Sequence, residues 1–307
     1  MDREQWTIVL DAVKRASRRV ARRHNPKRLR FPDWLIVSMY LWAVLHDRCQ
    51  SWACDRGNYG GVFRPRRNLP SVSQFNRRMN HARTREVLEQ VHEELGGSLT
   101  LTGTALSYLD GKPLTVSPAS KDPDARRGHV MHGWAKGYKL HAWMSEDRRI
   151  PLWCVTPLNA AEAPVAELLV AHGPRELPDR SLTLADQSYD THDLHKALDR
   201  RSGRLLVQPK GGGSAEAPRH PVTLRQMGPA RRELLRVCSA TPSLLRMVHR
   251  QRVNAEGIFG NLCGTSGGLT CLPPWARRTH RVRRWVGGKI ILYHARLRVR
   301  ARLRGEP

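Results

Sequence analysis

An aspartate set inside an apolar run is the feature that most constrains this chain. In SYLDGKPL, residues 107 to 114, Asp110 follows Ala105, Leu106, Tyr108 and Leu109, which read as a buried strand loosened at the carboxylate by Gly111. An ionised carboxylate removed from water is expensive, so a cation or a hydrogen-bond network has to meet it. Two further acids repeat the setting. Asp186 follows the run Leu182 to Ala185 in SLTLADQSYD, and Glu256 lies in a helical stretch, HRQRVNAEGIF, that begins at His249. Three acids on strand end, strand end and helix, in a chain with 53 Lys and Arg against 27 Asp and Glu, point to one metal site assembled by folding.

The formal charge of +26 favours a polyanionic partner, nucleic acid or an anionic membrane surface. Of the two, nucleic acid is the expectation, because the longest apolar run, Trp34 to Leu45, falls short of the roughly 20 residues that span a bilayer. The opening MDREQWTIVL lacks the basic-then-apolar order of a signal peptide. Cys49, Cys54, Cys154, Cys238, Cys263 and Cys271 form no Cys-x-x-Cys pair and no regular framework. They read as reduced thiols of a cytoplasmic protein, with no zinc site.

A length of 307 residues accommodates a catalytic domain with a smaller companion. The predicted companion is helical and spans residues 1–98. Its first helix carries Arg15, Arg18, Arg19, Arg22 and Arg23, which read equally as a solvated face or as a phosphate-contacting one. A core helix is expected to follow Pro32 and Asp33. Ser71 or Ser73 then caps a polar helix with Gln74, Asn76, Arg77, Arg78 and Asn80, side chains of the kind that reach base edges and phosphates. Helix, loop and polar helix resemble a helix-turn-helix, although short basic helices also occur on ordinary surfaces. Gly96, Gly97 and Ser98 read as a joint.

From residue 99 to 307 the pattern is one of strands and helices. Alternation in GYKLHAWMSE and the run IPLWCVT predict a hairpin, followed by a helix over Ala163–His172, the strand ending at Asp186, a helix near 191–201 and a strand at 204–208. This order indicates an α/β protein with a mixed sheet flanked by helices. Residues 209–229 read as a loop rich in Gly and Pro, and a helix is expected from about Arg231 through Glu256. The segment Trp275 to Arg304 carries many Lys and Arg and no acid, and reads as a helix with one packed and one cationic side. His249, Arg252 and Glu256, three and four residues apart, would share a helix face, either at the edge of a cleft or as an ordinary surface pair.

Taken together, YLDGKPL, GYKLHAW, ADQSYD, LPSVSQFNRR, VTPLNAAEAP, WVGGKIILYHARLR and the Arg-x3-Glu of Arg252 and Glu256 resemble the DDE transposases of bacterial insertion sequences, over about residues 69 to 300. The signature of that family around its last acid is Tyr-x2-Arg-x3-Glu-x6-Lys. Here His249 stands at the Tyr position and Cys263 at the Lys position. The resemblance implies a ribonuclease H-like fold in which Asp110, Asp186 and Glu256 are catalytic and hold two divalent cations, Mg2+ or Mn2+, with Asp110 bridging. Oxygen ligands suit such hard cations, and two of them can serve both sides of an in-line displacement at phosphorus. It further implies that Arg252 and His249 contact DNA. The implied activity is cleavage and strand transfer at the terminal inverted repeats of the element, by a protein acting as a homodimer on double-stranded DNA in the bacterial cytoplasm and nucleoid. A DNA-binding protein without chemistry, and a nuclease that cuts without joining, are the alternatives.

Overall fold

The computed structural model describes residues 3–24, 29–65, 68–96, 106–174, 177–178, 181–208, 228–264, 269 and 271–305. The joint expected at Gly96 to Ser98 therefore falls outside the described residues except for Gly96, as does nearly all of the loop expected at 209–229. Two compact units are present, Met1–Gly97 together with Asn261–Pro307, and Ser98–Gly260. The division is thus not the linear one at residue 98, because residues after 260 return to the N-terminal unit.

That first unit is helical. Helix α1 (Arg3–His24) buries Trp6, Val9, Val13, Ala16 and Val20, an apolar stripe at helical spacing. Helix α2 (Asp33–Leu45) is buried on nearly every side, as a core helix should be. The rings of Trp6, Trp42 and Phe63 meet at centroid distances of 4.9 to 5.6 Å. Ser71 caps α3 (Val72–Met79), and Ser71 and Gln74 exchange side-chain and backbone bonds in a capping box. Helix α4 (Ala82–Gly96) follows, with Val87, Val91 and Leu95 inward.

The basic row on α1 is partly committed to α4. Arg15 and Arg19 both reach Glu94, at 2.6 and 2.5 Å, while Arg23 and His24 reach Glu86. Arg18 and Arg22 stay exposed. A carboxylate at the start of α2 ties the middle of the unit together, since Asp33 is only 3 % exposed and pairs with both Arg78 and Arg83.

The second unit is a six-stranded sheet with helices. Its strands are β1 (Leu106–Thr115), β2 (Arg126–Val130), β3 (Gly133–Ser145), β4 (Leu152–Pro157), β5 (Ser181–Leu184) and β6 (Gly203–Leu206). Helices α5 (Glu162–His172) and α6 (His192–Asp199) fall between the later strands. In the sheet, β1 lies antiparallel to β3 on one side and parallel to β5 on the other, and β6 extends the parallel part. On its far edge β3 pairs antiparallel first with β2 and then with β4.

Two expectations are corrected here. Strand β1 does not give way at Gly111 but runs on to Thr115, with Gly111 opposite His141 in an unbroken ladder. Strand β2 was not foreseen, because RRGHV shows no apolar alternation and only Gly128 is buried. The helix expected from Arg231 through Glu256 is three helices, α7 (Pro229–Ala240), α8 (Pro242–Arg250) and α9 (Val253–Gly264). Pro242 opens the second of these, where a missing N–H costs nothing at a helix start but would break a helix interior. Helix α10 (Thr279–Leu303) ends the set, burying Trp285, Val286, Ile290, Ile291 and Leu292 in the first unit.

Asp33 is the most exposed of these arrangements to a single substitution. Asp33→Ala leaves two part-buried guanidiniums without their acid and should cost about 3 kcal/mol in urea unfolding, with Asp33→Asn costing less. An unchanged midpoint for Asp33→Ala would contradict the assignment.

Candidate active site

Parallel pairing of β1 with β5 sets the two aspartates at one level. Leu106 pairs with Leu182 and Tyr108 with Leu184, so the same register continued two residues brings Asp110 opposite Asp186. Both lie where β5 has ended, at the carboxyl edge of the parallel strands, the edge at which open α/β sheets bind their ligands. Asp110 is 8 % exposed and accepts the N–H of Gly111 at 2.9 Å. Asp186 caps the short turn Gln187–Tyr189, accepting the Ser188 N–H at 2.7 Å.

Arg252 joins them. Its Nη2 lies 3.4 Å from Asp110 Oδ1 and 3.9 Å from Asp186 Oδ2, so the two carboxylates converge on one positive centre. Burial pushes the Asp110 carboxyl up from its ordinary 3.8 to about 6, against Arg252 and the Gly111 N–H, while Asp186 and Glu162 add to the push. Arg252 comes from the turn between α8 and α9, and two contacts hold that segment to the sheet. His249 Nε2 lies 3.3 Å from the carbonyl of Ala185, and Asn254 donates to the Tyr108 hydroxyl at 3.2 Å.

A third carboxylate adjoins the pair. Glu162, in the first turn of α5, lies with Oε1 2.8 Å from Lys139 Nζ and with Oε2 2.5 Å from Ser188 Oγ, which also reaches Asp186 at 2.5 Å. Gly111 makes room for it: a Cβ there would stand 2.9 Å from Glu162 Oε1. Sequence reasoning did not single out Glu162 or Lys139. The available signals were an acid at a helix start in NAAEAP and a lysine alternating with apolar residues in GYKLHAW.

Glu256 is placed differently from the two aspartates. It lies in the first turn of α9 and is exposed. Nor do His249, Arg252 and Glu256 share one helix, because α8 ends at Arg250 and Arg252 occupies the intervening turn. Among the described residues, no group of three or more His, Cys, Asp and Glu is arranged to hold a metal ion.

In α3, Arg78 is engaged by Asp33 and Gln74 by the capping box, while Arg77 is exposed and Asn76 half-buried. His141 is a packed residue: burial draws its pKa down to about 4, and its Nε2 lies 2.9 Å from Thr156 Oγ1. Tyr189, fully buried beside Glu162, Asp110 and Asp186, shapes the turn after Asp186.

The family model described as the transposase DDE domain matches residues 102–291. The chain belongs to the DDE transposase family. Among curated proteins none matches this transposase-family chain. Its fold is similar to that of the piggyBac transposase, solved by cryo-electron microscopy as a synaptic complex with hairpin DNA, at 11 % identity and a TM-score of 0.50, covering 98 % of this chain and 74 % of that one. Among the described residues, no helix is long and apolar enough to cross a membrane.

DDE transposases generally use divalent metal ions. The residues at this edge fit a hard cation in two respects: the donors are carboxylate oxygens, and two of them already converge on a guanidinium. Asp110 also yields a pH prediction. Between pH 3.8 and about 6 the folded chain keeps a proton that the unfolded chain releases, so Asp110 costs stability increasingly as pH rises through that window and constantly above it. In chelator, Asp110→Asn should therefore raise the urea midpoint at about pH 8 by an equivalent of up to about 3 kcal/mol, and by little at about pH 4. Equal gains at both would exclude the buried charge as their source.

Proposed function

We propose that this chain is a transposase that cuts DNA at the terminal inverted repeats of its own insertion sequence and joins the freed ends to a target. The observation that carries the proposal is the convergence of Asp110 and Asp186 on Arg252 at the carboxyl edge of β1 and β5. The strand order, three antiparallel strands continued by two parallel ones, supports a ribonuclease H-like reading of the sheet.

In this reading Asp110, Asp186 and Glu256 would hold Mg2+ or Mn2+, which supplies charge neutralisation and an acidified nucleophile. The chain's own groups prepare the site. Asp110 gives up the proton that burial favours, Asp186 is held by Ser188, and Arg252 keeps both carboxylates aligned until phosphate arrives, to which its guanidinium can turn. Water, then a DNA 3′-hydroxyl, attacks phosphorus in line, forming one P–O bond as the bond to the leaving 3′-oxygen breaks. Residues 1–98, with Gln74, Asn76, Arg77 and Arg78, lie in the proposed DNA-binding part, the sheet and its helices within residues 99–307 form the proposed catalytic one, and His249 adds a DNA contact beside Asp186. Two copies act on paired ends.

A second reading, DNA binding without chemistry, is favoured by the exposed Glu256 and by Cys263 at the position of the family lysine. A DNA fragment with the gene and its native flanks, incubated with protein and Mg2+ or Mn2+, separates the two. Breaks at the edges of inverted repeats should form with metal, vanish with chelator, and be lost in Asp110→Ala and Asp186→Ala while DNA binding persists. Specific binding without breaks in either metal would select the second reading, and cleavage by either variant would overturn the residue roles.

A further inference from the structure

The helical unit contains a cavity of about 210 Å³ walled by Tyr40 of α2, Asn76 of α3, Trp275 and α10. Arg48, Arg281 and Arg284 line it, and among the described residues no Asp or Glu does. Elsewhere in this unit acids answer several of the arginines, as Glu94 answers Arg15 and Arg19 and Asp33 answers Arg78 and Arg83. Arg284 donates to the Asn80 side-chain oxygen at 2.7 Å, a neutral partner. Burial draws Arg284 below its usual range, Tyr40 opposes this, and neighbouring Arg281 and Arg85 add to it. Such a lining favours an anion.

The cavity also has an aromatic wall that is fixed in place. Trp275 is 37 % exposed, and its ring meets that of Trp285 edge-on at 6.1 Å and 80°. Trp285 is 3 % exposed and carries Lys289 Nζ 5.2 Å from its ring centroid, and that lysine is anchored to Asp47 at 2.7 Å. An accessible indole braced by a buried one is a surface on which a nucleobase stacks at little cost in ordering.

We propose that this cavity takes one unpaired nucleotide of a DNA strand, with its phosphate on Arg48, Arg281 and Arg284 and its base against Trp275. The inference rests on the DNA reading above and adds to it a site specific for single strands. The accessible face of Trp275 can stack on a single unstacked base, which the paired and stacked bases inside a duplex do not present, and this separates the site from a duplex-binding surface. Base–aromatic stacking and guanidinium–phosphate contact are together the recurrent chemistry of single-strand binding.

The test compares full-length protein and its Trp275→Ala and Arg281→Ala variants on a fluorescein-labelled short oligothymidylate and on a duplex of equal length. Trp275→Ala should weaken oligothymidylate binding about 10-fold and duplex binding less than about twofold, with Trp275→Phe restoring most of the loss. Arg281→Ala should flatten the salt dependence of oligothymidylate binding by about one phosphate contact. Unchanged oligothymidylate affinity in Trp275→Ala, with duplex binding intact, would overturn the cavity alone. Competition by inorganic phosphate that equals competition by thymidine 5′-monophosphate would also overturn it, as showing an anion site without a base. Absence of both oligothymidylate and duplex binding in the unmodified protein would instead overturn the DNA reading. Matching thermal melts of the variants exclude a folding defect.

Discussion

The guanidinium of Arg252 is the interaction on which the sheet-bearing unit depends. Without it, Asp110 and Asp186 would be two uncompensated like charges at one level of the sheet, and Asp186 would push the buried Asp110 further toward protonation. The cation answers both and links the turn between α8 and α9 to the strands. His249 on the Ala185 carbonyl and Asn254 on Tyr108 then make that turn a clasp rather than a single tether. Lys139 and Ser188 extend the same balance to Glu162, so three acids and two cations form one network.

The parts of this network that could be read in the sequence are those that depend on local pattern. Asp110 and Asp186 each end or interrupt an apolar run, and a costly carboxylate in such a run is conspicuous whatever the fold. Their alignment is another matter, because it follows from the parallel register of β1 and β5, which no local pattern encodes. The same limit hid the pairing of Arg78 with Asp33, 45 positions apart, which spacing along α3 does not reveal. Spacing also misled where it was used as geometry. His249, Arg252 and Glu256 are correctly spaced for one helical face, but the turn at Gln251 and Arg252 breaks the helix and turns Arg252 toward the aspartates.

A scarcity of acids shapes the helical unit in a different way. Asp33, Asp47, Glu86 and Glu94 are each spent on holding helices together by ion pairs, two of them on more than one arginine. The acids that face water, Asp11, Asp55, Glu89 and Glu93 among them, are outnumbered there by exposed arginines. The positive surface and the internal cohesion of this unit thus come from one allocation of charge, and both would shift with any change in where the acids are placed.

The interrupted sequence of the helical unit has a consequence for how the chain is made. Gln5 donates to the carbonyl of Leu292, and Arg298 donates to the carbonyls of Glu94 and Leu95, so α10 covers the parts of α1 and α4 that these helices do not cover for each other. During synthesis α1 to α4 leave the ribosome before α10, so the face that α10 covers stays open until the sheet has been translated. The sheet has every strand partner within its own span and can fold in that interval. The helical unit can therefore be completed only after the sheet has been made, although four of its helices precede the sheet in the chain.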